Sequence, residues 1–429
     1  MKYIFKTKKI LFYFSILITI FIFLDQIRST LKQLLPSKIQ VTIKQIIFGK
    51  EKINEINHLY RINYNTLRIP KTQFINIEFN TVKINEISIA EKNHYEILNQ
   101  QQVVRGKKKF FIRNYEDGLL LIDSKNNLFK LILNNNETNI SYSIKKISNN
   151  LENLRNFNVK DFLIINNKIF ASFSVYDEKN RCSKFIIFAS ESIKNVNFKE
   201  VLSSKECIQN VVGGKMIYIN FNEYNGILFS TGDDDYEGKL LAQNQNSIFG
   251  KLIFFDLKTN NHRIFSSGHR NPQGLLITKD NRIISTEHGP YGGDEINIIS
   301  EGKNYGWPFS SYGEPYGYNF NKDYKYKKSH EFYGFEEPIY SFVPSIGISQ
   351  IIEVPENFNS KWKNNYIVSS LNSNSLYRIK FDEKLTKVIY VEKIFIGERI
   401  RDIIYNHHQN VFYLALEETG SIGLLKYKK

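Results

Sequence analysis

From about Lys107 onward, short apolar runs alternate with clusters of Asn, Asp, Gly and Lys. FFIRN, GLLLID, LFKLIL, KIFASFSV, KFIIFA, KMIYIN, GILFSTG, KLIFFD, RIISTEHG, NYIVSS, SLYRIKF, VFYLALE and GLLKY are all of strand length, rich in branched and aromatic residues, and bounded by turn formers. Helical periodicity shows only around the N-terminus and in the 31–58 segment, so the body is predicted to be all-β. A loose module recurs, in which a strand ending in a turn is followed by a polar hairpin and two further strands. Its spacing of about 45 to 60 residues fits a propeller blade. The roughly 325 residues from Arg105 to Lys429 would hold six blades, with a sandwich or barrel array as the alternative at this level. Residues 31–104 are harder to read; their one good alternating run, FINIEFNTVKINEISI, fits either a linker β segment or the start of a first blade.

The first 30 residues follow a different pattern. Lys2, Lys6, Lys8 and Lys9 precede an apolar run from Ile10 to Leu24, which Asp25 ends. As a helix that run reaches only about 22 Å, short of the roughly 30 Å hydrocarbon core, but no small-x-small cleavage site follows. It reads as a signal anchor or uncleaved signal peptide. The preceding lysines hold the N-terminus in the cytoplasm, so the rest is expected on the periplasmic side of the inner membrane, or secreted if the segment is cleaved.

Length and a hydrophobic content of 42% allow a large core. The net charge of +15 is spread among acidic residues and forms no stripe, which reads as a solvated basic surface and not as a nucleic-acid partner. No Cys or His spacing of zinc type is present. In an oxidising compartment the two cysteines, Cys182 and Cys207, are able to pair across KFIIFASESI.

The chemistry gathers between Ser267 and Gly313. Arg270 and Asn271 lead into a Pro-Gln-Gly turn, and Glu287, His288, Gly289 and Pro290 end a later strand on a second turn. An arginine fork suits a carboxylate, and the backbone carbonyls of a turn suit a hard cation such as Ca²⁺. Arg399 and Arg401, two apart on a predicted strand, share one face and call for an anion between them. Taken singly, each of these residues is equally at home in an internal ion pair or a turn cap.

Together, GHRNPQGL, TEHGPYGGDEIN, GKNYGWPFSSYG, PSIGIS and GERIRD resemble, in order, the soluble PQQ-dependent glucose/sorbosone (aldose sugar) dehydrogenase family. The resemblance runs from about residue 205 to the end. It implies a six-bladed β-propeller, here preceded by the membrane anchor segment, with PQQ and calcium on one face. By resemblance Arg270, Asn271, Ser345, Arg399 and Arg401 would contact the cofactor. Gly289 and Pro290 would give carbonyls to its calcium ion, and Glu295 with the Tyr305 carbonyl would hold a second calcium. The implied activity is oxidation of an aldose or related alcohol by hydride transfer to PQQ, with a periplasmic electron acceptor.

The same alignment of motifs exposes departures. The position of the family's catalytic His, two residues before a Gly-Gly-Arg turn, falls on Val211 in NVVGGKMIY, and valine takes no proton. A cofactor-facing Lys falls on Asn372, and the segment after the Pro-Ser-Ile element reads Gly347, Ile348, Ser349, Gln350. Asp233 or Asp234 is a candidate substitute base by proximity. The alternative functional reading is an inactive propeller that binds a glycan or a protein; a propeller hydrolase or lactonase is a third.

Overall fold

The computed structural model describes residues 36–53, 75–88, 95–98, 101–104, 107–135, 140–233, 238–315 and 326–428. The chain divides into two compact units, Met1–His58 and Leu59–Lys429. In the first, the described part contains helix α1, Ser37–Phe48. No described helix is long and apolar enough to cross a membrane, and the anchor segment expected at residues 1–30 lies outside the described residues.

The second unit is a six-bladed β-propeller. Its described strands form six four-stranded antiparallel sheets, blade 1 (110–147), blade 2 (157–203), blade 3 (213–267), blade 4 (272–342), blade 5 (348–395) and blade 6 (400–427). A two-stranded hairpin, Tyr95–Leu98 with Gln101–Val104, stands apart from them.

Burial explains why the sequence patterns differ within a blade. The second strand of each blade is covered on both faces by neighbouring blades, so Gly118–Asp123, Ile283–Glu287, Asn365–Ser370 and Val411–Leu416 are buried at every position; GLLLID and VFYLAL read as apolar runs, while IISTE and NYIVSS carry buried polar residues at their ends. The outer strand Ile140–Ile147 alternates between half-buried and exposed positions. Six apolar clusters fill the six seams, one between each pair of neighbouring blades. Phe173 and Phe188, ring centroids 5.6 Å apart and edge to face, belong to the seam between blades 1 and 2.

Blade 6 is completed from the other end of the chain. Strand Ile77–Lys83 pairs antiparallel with Ser421–Tyr427 in a seven-residue register from Ile77↔Tyr427 to Lys83↔Ser421. The alternating run in the 31–104 segment is therefore the outer strand of the last blade and does not begin the first. Val82, Ile84 and Ile87 add to the cluster that seals blade 6 against blade 1. Cys182 and Cys207 form a disulfide, with Cα atoms 5.5 Å apart, which ties the third strand of blade 2 to the segment entering blade 3.

The innermost strands carry a further irregularity. In five of the six blades the pairing of the inner strand slips near its start, between Val159 and Asp161, Gly213 and Met216, Pro272 and Gly274, Ile348 and Ile351, and Ile400 and Asp402. Such bulges re-aim a side chain. The residues they displace are Lys160, Gly214 with Lys215, Gln273, Ser349 with Gln350, and Arg401.

Candidate functional site

Antiparallel pairing places the start of each inner strand beside the end of the second strand, as Gly213 opposite Thr231, Pro272 opposite Glu287 and Ile400 opposite Leu416 show. The segments that precede inner strands and those that follow second strands therefore gather at one end of the ring. That rule collects Arg270 and Asn271, Ser345, Arg399 and Arg401, and the 288–290 turn, which are far apart in the chain.

A cavity of about 710 Å³ opens there, lined by His288, Gly289, Pro290, Ser345, Asn372 and Arg399 among others. Arg399 Nε donates to Glu417 Oε1 at 2.7 Å, and Arg401 Nε donates to Glu417 Oε2 at 2.8 Å. The anion between the two arginines is thus the chain's own Glu417, which is 1% exposed. Burial works to raise the pKa of this carboxyl, but the two guanidinium groups outweigh it and bring it down to about 2. Arg401 also donates to Gln273 Oε1 at 3.4 Å. Glu417 and Gln273 carry no motif signal, and only the folded ring shows what they orient.

Arg270 is nearly buried and is not among the residues lining this cavity. Its guanidinium donates to the His288 carbonyl at 3.0 Å and lies 5.2 Å from the Trp307 ring centroid, so it braces the turn that forms the cavity wall. Asn271 Oδ1 accepts from Gly213 N at 2.9 Å and from Gln273 Nε2 at 2.6 Å, joining blades 3 and 4 at the mouth. Asp294 ties the 288–290 turn to the 345–348 segment, accepting from Gly289 N, Ser345 Oγ, Ile346 N and Ile348 N. His269 is fully buried between Ser266 and Glu287 and stacks on Tyr305, closed away from any ligand. Burial holds the His288 imidazole below its ordinary pKa, with Asp294 opposing and Arg270 and Arg401 assisting.

Val211 is 1% exposed and packs with Ile208, Phe229 and Phe249 in the seam between blades 2 and 3. Asp233 is spent on structure, accepting from Ala242 N at 2.9 Å; Asp234 lies outside the described residues. At the channel itself, Arg113 and Lys215 each pair with both Asp161 and Asp402, a closed ring of two cations and two anions with no net charge. Just outside it, Lys160 Nζ donates to the Val211 carbonyl at 2.7 Å and Lys109 Nζ to the Val159 carbonyl at 2.8 Å.

The donor set on the cavity fits a polycarboxylate such as PQQ. The Arg399 guanidinium on the wall, with Arg401 sharing its Glu417 partner, a serine hydroxyl and a volume within the range of small-ligand sites suit a rigid anionic ring system. The 289–290 turn forms part of the same wall, so a cation held by its carbonyls would stand beside that ligand. The fit fails at the second expected calcium. Glu295 Oε1 lies 3.4 Å from His330 Nε2, while His330 Nδ1 lies 3.0 Å from the Tyr305 carbonyl. The two expected ligands do converge, and what they converge on is an imidazole. Burial lowers its pKa, yet the Glu295 carboxylate more than offsets this and raises it, while burial in turn raises the Glu295 carboxyl. Among the described residues no three His, Cys, Asp or Glu side chains group as a metal cluster.

Comparison with known proteins bears on the family and the fold. The model of the Glucose / Sorbosone dehydrogenase family matches residues 112–425. The chain is 28% identical over 146 residues to the aldose sugar dehydrogenase YliI of Escherichia coli, covering 33% of this chain and 38% of that protein. It is 26% identical over 199 residues to the quinoprotein glucose dehydrogenase B of Acinetobacter calcoaceticus, covering 34% and 41%. The matched stretches thus span well under half of these relatives' own lengths. In three dimensions, the soluble aldose sugar dehydrogenase of E. coli in its apo form superposes with a TM-score of 0.61 at 18% identity, over 82% of this chain and all of that one, a likeness of fold.

Proposed function

Because this chain belongs to the glucose/sorbosone dehydrogenase family, with the family pattern running from residue 112 to 425, we propose that it oxidises an aldose or related alcohol with PQQ and Ca²⁺ as cofactors. One observation carries the reading: Arg399, which shares the buried Glu417 with Arg401, lines a cavity walled by Gly289, Pro290 and Ser345. The quinoprotein name of the Acinetobacter relative supports PQQ.

In this reading Arg399 and Arg401 hold the carboxylates of the cofactor, and Ser345 contributes a hydroxyl beside them. Arg270 and Asn271 act one step removed, by fixing the 288–290 turn and the Gly213–Gly214 turn. The Gly289 and Pro290 carbonyls hold Ca²⁺. PQQ, when bound, supplies a quinone that accepts two electrons and a hydrogen as hydride. The chain is placed on the periplasmic side of the inner membrane by its N-terminal segment, handing electrons to a periplasmic acceptor. The Cys182–Cys207 disulfide supports an oxidising compartment.

The test is calorimetry of PQQ binding with and without Ca²⁺, followed by dye reduction with a panel of aldoses. Stoichiometric binding and dye reduction are expected. Absence of both would remove the dehydrogenase reading, and binding without turnover would favour the inactive glycan- or protein-binding propeller.

A further inference from the structure

We propose that the Lys160 amine accepts the proton of the substrate hydroxyl. This rests on the dehydrogenase reading above, since removing hydride from a carbinol carbon requires the hydroxyl proton to leave as well.

Most groups around the mouth that could take a proton are already engaged: Glu314 on the cavity wall pairs with Lys328 at 2.9 Å, and Lys109 Nζ donates to both Asn158 Oδ1 and the Val159 carbonyl. Glu417 is held between two arginines, and Asp294 already accepts four hydrogen bonds. Asp161 and Asp402 are neutralised by Arg113 and Lys215. Asp233 caps the segment at Ala242, and His269 is enclosed by Ser266, Glu287 and Tyr305. The Nε2 atom of His288 is covered by protein and reaches no solvent. Lys160 is half-buried and keeps an amine that only one backbone carbonyl engages among its described hydrogen bonds.

Its placement is built into the fold. The bulge between Val159 and Asp161 displaces Lys160 from the ladder, and its Nζ stops 2.7 Å from the carbonyl of Val211, the residue whose side chain is lost to the apolar seam. Gly214 makes room for the stem, because a Cβ there would stand 2.3 Å from the Lys160 Cβ. As a neutral amine, Lys160 would keep one N–H on the Val211 carbonyl and have a lone pair to offer.

The surrounding charges favour the neutral form. Two cations bear on Lys160, Arg401 from blade 6 and Lys109 from blade 1. Burial, helped by Arg401, brings its pKa down to about 8; burial, then Lys160 itself, holds Lys109 well below the ordinary range. In the balanced step the hydroxyl proton passes to Lys160 and the carbinol hydrogen leaves with its electron pair to the quinone oxidant. The C–O bond becomes a carbonyl, and the lysine returns its proton to water.

Two measurements test the assignment. In the protein without cofactor, labelling of Lys160 by an amine-selective reagent, read by mass spectrometry, is expected to reach half its maximum near pH 8; a midpoint at the ordinary lysine value would overturn the proposal. In the protein loaded with PQQ and Ca²⁺, K160A is expected to bind PQQ yet lose about 10²- to 10⁴-fold in turnover and to regain rate with added ethylamine. K160R, which keeps the charge and guards against a folding defect, is expected to lose turnover as well. Wild-type turnover matched by K160A and K160R, or a loss confined to K109M, would sink this assignment and leave the dehydrogenase reading standing. A wild type that oxidises no aldose would remove both.

Discussion

Glu417 shows how much a single side chain controls at this site. Its pKa in the fold is depressed, so the stability it contributes is complete above the ordinary carboxylate pKa and is lost as pH falls toward about 2. At neutral pH that contribution is of order 3 kcal/mol. E417Q is therefore expected to lower thermal stability at pH 7 and to flatten its decline between about pH 5 and pH 2, read by thermal denaturation across that range. It is also expected to weaken PQQ binding at least tenfold, because the two guanidinium groups lose the anion that aligns them; unchanged affinity would show that Arg399 and Arg401 orient themselves. The arginine pair was legible from its spacing. Glu417 was not, because the reason for a buried acid there exists only once Val411–Leu416 lies beside Ile400–Asn406. Val211 was legible as a missing base, whereas the nearness of Lys160 to it depends on contact between blades 2 and 3.

Strands and turns were the most readable level, because a strand covered on both faces is largely apolar and an outer strand tends to alternate. Bulges were invisible, since a one-residue slip changes pairing and leaves composition alone; yet the bulges at Lys160, Gln273 and Arg401 are what set these side chains around the mouth. The turn at Gly289 depends on Asp294, which ties it to the 345–348 segment by hydrogen bonds on both oxygens. D294A strands several buried donors and is expected to cost about 3 kcal/mol or more, with a matching fall in Ca²⁺ affinity by calorimetry. The disulfide closes a loop with a sequence separation of 25, and C182S/C207S is expected to lose about 2–4 kcal/mol in urea denaturation. An unchanged midpoint would mean that the seam between blades 2 and 3 holds that segment without it.

Closure of the ring governs the molecule as a whole. Strand Ile77–Lys83 covers the edge of Ser421–Tyr427 and contributes Val82 to the seam between blades 6 and 1. A chain beginning at residue 105 is expected to keep six blade cores but expose that edge, lowering the melting temperature and promoting association on size-exclusion chromatography, whereas one beginning at residue 75 should remain closed. Blade number, strand type and the family motifs could be read in one dimension because they depend on local burial and turn chemistry, which repeat along the chain. The partner of the 77–83 strand, the imidazole between Glu295 and Tyr305, and the gathering of Lys160, Arg401 and Glu417 could not. Each depends on which distant segments share a seam or the mouth, and that follows from closing six blades into a ring, a long-range condition that no local pattern records.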